Sequence, residues 1–276
     1  MVLAHLYKDD PEIILAFVNY NWRHDTAIDQ KIVTDFAKKY QLKLEILSLD
    51  GQKPPSNLQH WARQVRYQFF AKIYQKYQCQ KLLIAHHKDD FLETALMQQQ
   101  KNPNKLFYGI KAKQELFGMQ IERPLVNRYW KAQIYQYAKN HQIEFHEDYT
   151  NFENHYQRNQ IRNQILKNYD LTQKQQLLEQ FLFINQTNQD WINQIETTYL
   201  QWAQTDFNLA FINQKEIELK KELIIKYINF HLKEINLSQA IINNICNYLK
   251  AQNFNKKFLL TKNHYLFKKD KKLFCL

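Results

Sequence analysis

Glycine is nearly absent from this chain of 276 residues: Gly51, Gly109 and Gly118 are all it has. A glycine-rich phosphate loop needs several glycines within a short span, and none can be drawn here. The three cysteines, Cys79, Cys246 and Cys275, form no C-x-x-C pair, which argues against a zinc ribbon, an iron–sulfur cluster or a disulfide framework. No apolar run approaches the ~20 residues that span a bilayer. The N-terminal Met1-Val2-Leu3-Ala4-His5-Leu6-Tyr7 also lacks the basic flank and cleavage site of a signal peptide. A cytoplasmic chain with no membrane partner is therefore expected. Negative charge is short as well. Lys and Arg number 38 against 27 Asp and Glu, for a net charge of +11, and such a balance favours a polyanion, with nucleic acid the better candidate.

What is present is enough for a core: hydrophobic residues make up 45% and aromatic residues 14% of the chain. Glu12 to Val18 reads as a strand buried on both faces, Asp25 to Tyr40 has helical spacing, and Leu42 to Leu49 alternates like a strand. A helix running to about Gln78, a strand Lys81–Ala85 and a further helix follow. Such alternation predicts βαβ units and an α/β fold with a doubly wound parallel sheet. Lys101 to Phe117 reads as loop, Met119 to Leu125 as a short strand and Asn127 to Asn140 as a helix. Four amphipathic helices are expected near Leu171–Ile184, Asp190–Thr205, Lys215–Leu232 and Ser238–Ala251, then short strands between Lys257 and Cys275. This places one domain over 1–168 and a mainly helical, Lys-rich region over 169–276.

The densest chemistry lies at Ala85-His86-His87-Lys88-Asp89-Asp90-Phe91-Leu92-Glu93, where a predicted strand gives way to a helix. Open α/β sheets bind ligands at that end of a strand. A plainer reading is that Asp89 and Asp90 simply place negative charge at a helix N-terminus, worth ~0.3–1 kcal/mol. Arginine is also informative. All seven, Arg23, Arg63, Arg66, Arg123, Arg128, Arg158 and Arg162, fall before residue 163 in an otherwise Lys-dominated chain, so each is a candidate for the bidentate phosphate work that Lys does badly.

Three ordered patterns carry a family resemblance. Arg63, Arg66 and Tyr67 come first, then His86-His87-Lys88-Asp89-Asp90 with Glu93-Thr94, then Asp148-Tyr149-Thr150-Asn151 with Tyr156, Arg158-Asn159 and Arg162. In order and spacing the chain resembles the tRNA(Ile)-lysidine synthetases, whose core is that of the N-type ATP pyrophosphatases of the PP-loop superfamily. The resemblance implies a ligase that forms a carbon–nitrogen bond. It would use Mg-ATP to adenylate C2 of the wobble cytidine in a CAU-anticodon tRNA(Ile), after which the ε-amine of free L-lysine displaces AMP. The implied catalytic residues are His86, handling a proton, Asp90, holding Mg²⁺ or orienting the amine, Arg66, meeting developing phosphate charge, and Arg158. Asn19, Arg23, Arg63 and Asp89 would border the nucleotide. The Lys-rich region, with eight Lys against one Asp from Lys250 onward, would meet tRNA phosphates, and a homodimer is among the assemblies considered.

The family's S-G-G-x-D-S loop is not in this sequence, although Met1 to Leu6 resembles the residues that follow it. The expectation is that Met1 is an internal methionine of a longer gene product; a chain starting there would be severely impaired in adenylation and would survive as a tRNA-binding remnant. Gln98-Gln99-Gln100-Lys101 also stands where the family often has Arg-Gly. Two alternatives stay open: a metal-dependent phosphohydrolase using His86, His87, Asp89 and Asp90, and a tRNA-thiolating relative, which would need the missing C-x-x-C pair.

Overall fold

A computed structural model describes residues 1–22, 25–49, 58–146, 157–232, 235, 237–251 and 256–276. They form two compact units, Met1–Ile184 and Asn185–Leu276.

The first unit opens with α1 (Val2–Leu6), β1 (Ile14–Asn19), α2 (Thr26–Lys39) and β2 (Lys43–Ser48). The α2 crossover lets β1 and β2 pair in parallel, from Ile14↔Lys43 to Asn19↔Ser48. α3 (Leu58–Lys76), β3 (Leu82–Leu83) and α4 (Lys88–Lys101) repeat the pattern. The stretch expected to be loop contains an extra strand, β4 (Lys113–Leu116), which pairs antiparallel with β5 (Met119–Glu122), while β5 lies parallel to β3. β4 escapes the hydrophobic pattern because Lys113-Gln114-Glu115-Leu116 is mostly polar, as an edge strand tends to be. Phe117 and Gly118 join the two strands with φ of 54° and 71°, the left-handed pair that a tight hairpin requires. Parallel pairing, intervening helices and the antiparallel edge bear out the α/β reading.

Then come α5 (Lys131–Asn140), α6 (Gln157–Gln160) and α7 (Leu171–Thr187). Between the last two the helix widens to π geometry over Ile161–Ile165 before a tight turn at Leu166–Asn168. The main core packs Phe91, Leu92 and Ala95 of α4 against Tyr108, Val126, Trp130, Ile161, Leu166, Leu178 and Phe181. Gly109 (φ +85°) lies against the Phe91 ring with no room for a Cβ. A smaller cluster seats Tyr67 of α3 on Met119 and Ile121 of β5.

The second unit contains α8 (Gln189–Gln204), α9 (Leu209–Asn213), α10 (Ile217–His231), α11 (Gln239–Lys250) and an antiparallel meander of β6 (Phe258–Thr261), β7 (His264–Lys269) and β8 (Lys272–Cys275). The expected helices and terminal strands are there, with α9 in addition. Trp202, Leu223, Ile224, Tyr227, Ile228, Ile245 and Leu266 are fully buried. The Tyr227 hydroxyl donates to the Leu273 carbonyl at 2.9 Å, tying α10 to β8. Ser238 caps α11 by accepting from the Ile241 N–H.

Candidate active site

Because β3 and β5 run in parallel with Leu83 beside Glu122, the residues after each strand emerge at one edge of the sheet. His86 follows β3 and Arg123 follows β5. α4 then starts at Lys88, so its first turn carries Asp89 and Asp90 at the same edge.

Glu93, one turn further into α4, is 1% exposed. Arg158 Nε donates to its Oε2 at 2.6 Å, and Arg162 Nε donates to its Oε1 at 2.6 Å. Arg162 Nη2 adds a bond to Oε2 at 3.1 Å. Arg158 also reaches Asp90 Oδ1 through Nη2 at 2.7 Å. Two carboxylates and two guanidiniums thus form one bonded cluster. Burial strengthens each of these charge-assisted bonds and makes loss of any one partner costly. The π-helical turn sets the phase between Arg158 and Arg162, and such turns recur at functional sites.

Asp90 Oδ2 accepts the His87 backbone N–H at 2.9 Å, the return half of a capping box. The plain helix-terminus reading of Asp90 is therefore true alongside its place in the cluster. Asp89 is engaged elsewhere: its Oδ2 accepts the Lys131 N–H at 2.8 Å, anchoring the start of α5, and its Oδ1 meets Lys174 Nζ at 3.1 Å. Among the described residues His87 Nδ1 is buried with no hydrogen-bond partner, and Asp89 Oδ2 stands 3.6 Å from it.

His86 accepts at Nδ1 from Arg123 Nε, 3.0 Å away. Burial drives its pKa down to about 4, against the pull of Asp90 and with the help of Arg123, Arg158 and Arg63. The ring is neutral at ordinary pH.

The remaining expected residues lie on α3 and at the end of β1. Arg63 stacks on the Tyr67 ring, 4.6 Å from its centroid. Arg66 is exposed and has no hydrogen bond or ion pair among the described residues. Its charge is felt by the Tyr20 hydroxyl, just past β1. Asn19 is buried at the end of β1, where Nδ2 donates to Gln30 Oε1 at 2.9 Å and Oδ1 accepts from the Asn21 N–H at 3.0 Å. Arg23 and the segment Asp148–Asn151 with Tyr156 lie outside the described residues. Among the described residues, no three His, Cys, Asp or Glu side chains converge as metal ligands.

In the sequence Arg123 and Arg162 were candidate phosphate binders by their rarity alone and Glu93 had no role; the structure places Arg162 on Glu93 and Arg123 on His86. Glu93 and Arg162 stood inside the quoted motifs, and the signal available was their i, i+3 and i, i+4 spacing to Asp90 and Arg158. Arg123 carried only its rarity as an arginine.

Residues 1–169 match the PP-loop domain family. Over 98% of its length the chain is 39% identical to the tRNA(Ile)-lysidine synthase of Mycoplasmopsis pulmonis (strain UAB CTIP), 93% of which is covered. Over 99% it is 38% identical to that of Mesomycoplasma hyopneumoniae (strain 232), with 91% covered. A solved structure, the U34-tRNA thiolase NcsA from Methanococcus maripaludis with its [4Fe-4S] cluster, superposes with a TM-score of 0.51 at 15% identity, over 67% of this chain and 65% of that one. At that identity the thiolase speaks for the fold alone. The motif order, the parallel-strand site and the near full-length identities agree: the chain belongs to the tRNA(Ile)-lysidine synthase family and carries a PP-loop domain.

Proposed function

We propose that this chain is the ATP-dependent ligase that joins free L-lysine to the wobble cytidine of a CAU-anticodon tRNA(Ile). The reaction has two steps. The cytidine C2 oxygen attacks the α-phosphorus of ATP and pyrophosphate leaves. The lysine ε-amine then adds at C2, AMP departs with that oxygen, and the nitrogen gives up its protons to solvent. Membership of the family supports the reaction; the observation that carries the site is the cluster of Asp90, Glu93, Arg158 and Arg162 at the sheet edge beside His86.

Each part has a task that its surroundings favour. Arg66, exposed and unpaired among the described residues, is suited to phosphate charge that develops in adenylation. Arg158 bridges two carboxylates at the same edge and orients both. Asp90 orients the attacking amine: its oxygens already accept nitrogen donors in this structure, so an amine replaces like with like. Arg63, with its guanidinium held on an aromatic face, and the end of β1 at Asn19 border the nucleotide, as does Arg23. Asp89 supports the site indirectly by fixing the N-terminus of α5.

Mg²⁺ travels with ATP, and an ion held mainly by phosphate oxygens and water needs only one or two protein carboxylates. Asp90, whose oxygens each accept one N–H here and keep a lone pair, would be the residue to hold it. The ion would supply neutralising charge at the phosphates. Residues 1–168 act as the catalytic domain, and the Lys-rich residues 169–276 bind tRNA in the cytoplasm.

Incubating the full-length gene product with tRNA(Ile) transcript, ATP and isotopic lysine tests the reading. Nucleoside analysis should reveal lysidine, with AMP and pyrophosphate formed alongside. No lysidine above a control without enzyme would sink it.

A further inference from the structure

The geometry points to Arg123 as a positioning residue that fixes His86 in the neutral tautomer with its proton on Nε2, making His86 a hydrogen-bond donor to a phosphate oxygen and not a base. This deepens the reading above and rests on it for the identity of the phosphate, which belongs to ATP or to departing AMP.

Hydrogen-bond roles decide the tautomer. A guanidinium has donors and no acceptor and keeps its charge in proteins. Arg123 Nε points at His86 Nδ1 from 3.0 Å, so Nδ1 must present its lone pair. A neutral imidazole has one N–H, which is then at Nε2. A base needs its lone pair facing the substrate; here the lone pair faces Arg123 and is consumed there. Adding a proton at Nδ1 would set two N–H donors against each other.

Arg123 is itself held too firmly to turn away. Its Nη1 donates to the Lys111 carbonyl at 2.8 Å, and its own backbone N–H donates to the Ala112 carbonyl at 2.8 Å. The Tyr67 hydroxyl adjoins the guanidinium from α3. The residue is 3% exposed.

The charge balance points the same way. Among the described residues no carboxylate bonds Arg123. A buried guanidinium without a counter-ion is expensive. His86 is the polarisable link between that charge and the open edge of the sheet. With Arg123 on Nδ1, the Nε2–H becomes a stronger donor, as chained hydrogen bonds reinforce one another. An anionic phosphate oxygen at Nε2 completes the balance. Deprotonation of lysine then falls to another group or to water, and His86 serves the phosphate side of the reaction.

Three measurements test this. First, long-range ¹H–¹⁵N correlation on the full-length protein labelled at histidine, with His86 assigned by its loss in His86→Gln, should show the Nε2–H tautomer at neutral pH. An Nδ1–H tautomer or an imidazolium overturns the proposal. Second, His86→Gln places an amide nitrogen near the Nε2 position, and His86→Asn places one near Nδ1. The Gln variant should keep kcat for lysidine formation within about tenfold, whereas the Asn variant should lose on the order of a thousandfold, the scale of removing a preorganised donor. Equal losses mean a base and overturn the proposal. Third, Arg123→Met should lower kcat on the order of a hundredfold with little change in KM for ATP, and should add almost nothing in the His86→Gln background. Fully multiplicative losses overturn the coupling.

If Arg123→Met does not fold, the first two measurements decide. If the wild-type protein makes no lysidine, the functional reading falls while the tautomer measurement still judges Arg123.

Discussion

Glu93, itself 1% exposed, holds the cluster at the candidate site together through bonds to the guanidiniums of Arg158 and Arg162. Removing that carboxylate leaves two half-buried cations without their shared partner, although Arg158 keeps Asp90. Glu93→Ala should therefore destabilise the first unit by about 1.5–3 kcal/mol, the scale of hydrogen bonds to charged groups, measured by urea unfolding. A loss below about 1 kcal/mol would mean that solvent reaches the guanidiniums freely. His86 gives a pH dependence with a definite sign. Its pKa in the folded protein is about 4, below the ordinary value near 6.5. Above that ordinary value both folded and unfolded chains keep the ring neutral, and no cost arises. As pH falls from about 6.5 towards 4, the unfolded chain takes up a proton that the folded chain refuses, so stability falls with acid. Unfolding followed between pH 7 and pH 5 should show this decline in the wild type and a shallower one in His86→Gln. Equal slopes in the two proteins would place the acid sensitivity elsewhere.

Among the elements, the helices were legible and the edge strand was not. Amphipathic spacing marks α8, α10 and α11 because each buries one face, and Ile242, Ile245, Cys246 and Leu249 of α11 show that face directly. β4 has no such stripe, and its strand character comes from pairing with β5. The π-helical turn at Ile161–Ile165 has no signature in composition either, since its geometry answers to tertiary packing. Glycine separates two effects at this scale. Gly109 and Gly118 both have positive φ, but a Cβ at Gly109 would strike the Phe91 ring, whereas none would meet anything within 4 Å at Gly118. Gly118→Ala should cost about 1 kcal/mol, from backbone strain alone. Gly109→Ala should cost about 3 kcal/mol or more, because overpacking of the α4 core adds to the strain. Thermal unfolding of both variants checks the order, and equal costs would show that the Phe91 ring moves aside easily.

Across the whole molecule positive charge outweighs negative, which favours the proposed encounter with tRNA. Lys262, Lys269 and Lys271 are exposed around the C-terminal strands, in a chain of net charge +11. If they meet phosphates, replacing all three with Gln weakens tRNA binding at low salt. It also flattens the dependence of log K on log salt by about 0.7–0.9 for each phosphate that is no longer neutralised. Filter binding from low to moderate salt reads both quantities. An unchanged slope would assign the tRNA phosphates to other cations.

The chain's own order of residues determined the βαβ alternation, the helical region that follows, the terminal strands and the family, because periodicity and motif spacing are properties of consecutive residues. Tertiary structure decided which cation meets which carboxylate. Asp89 went to the start of α5 and Lys174, and Asp90 to Arg158. Glu93 was taken by two arginines, and His86 by an arginine 37 residues away. Hydrophobic spacing tells a residue which way to face but does not name its partner. Partners are chosen by strand register and by the angle at which helices pack, so Arg123 became part of the site only when β5 came to lie beside β3.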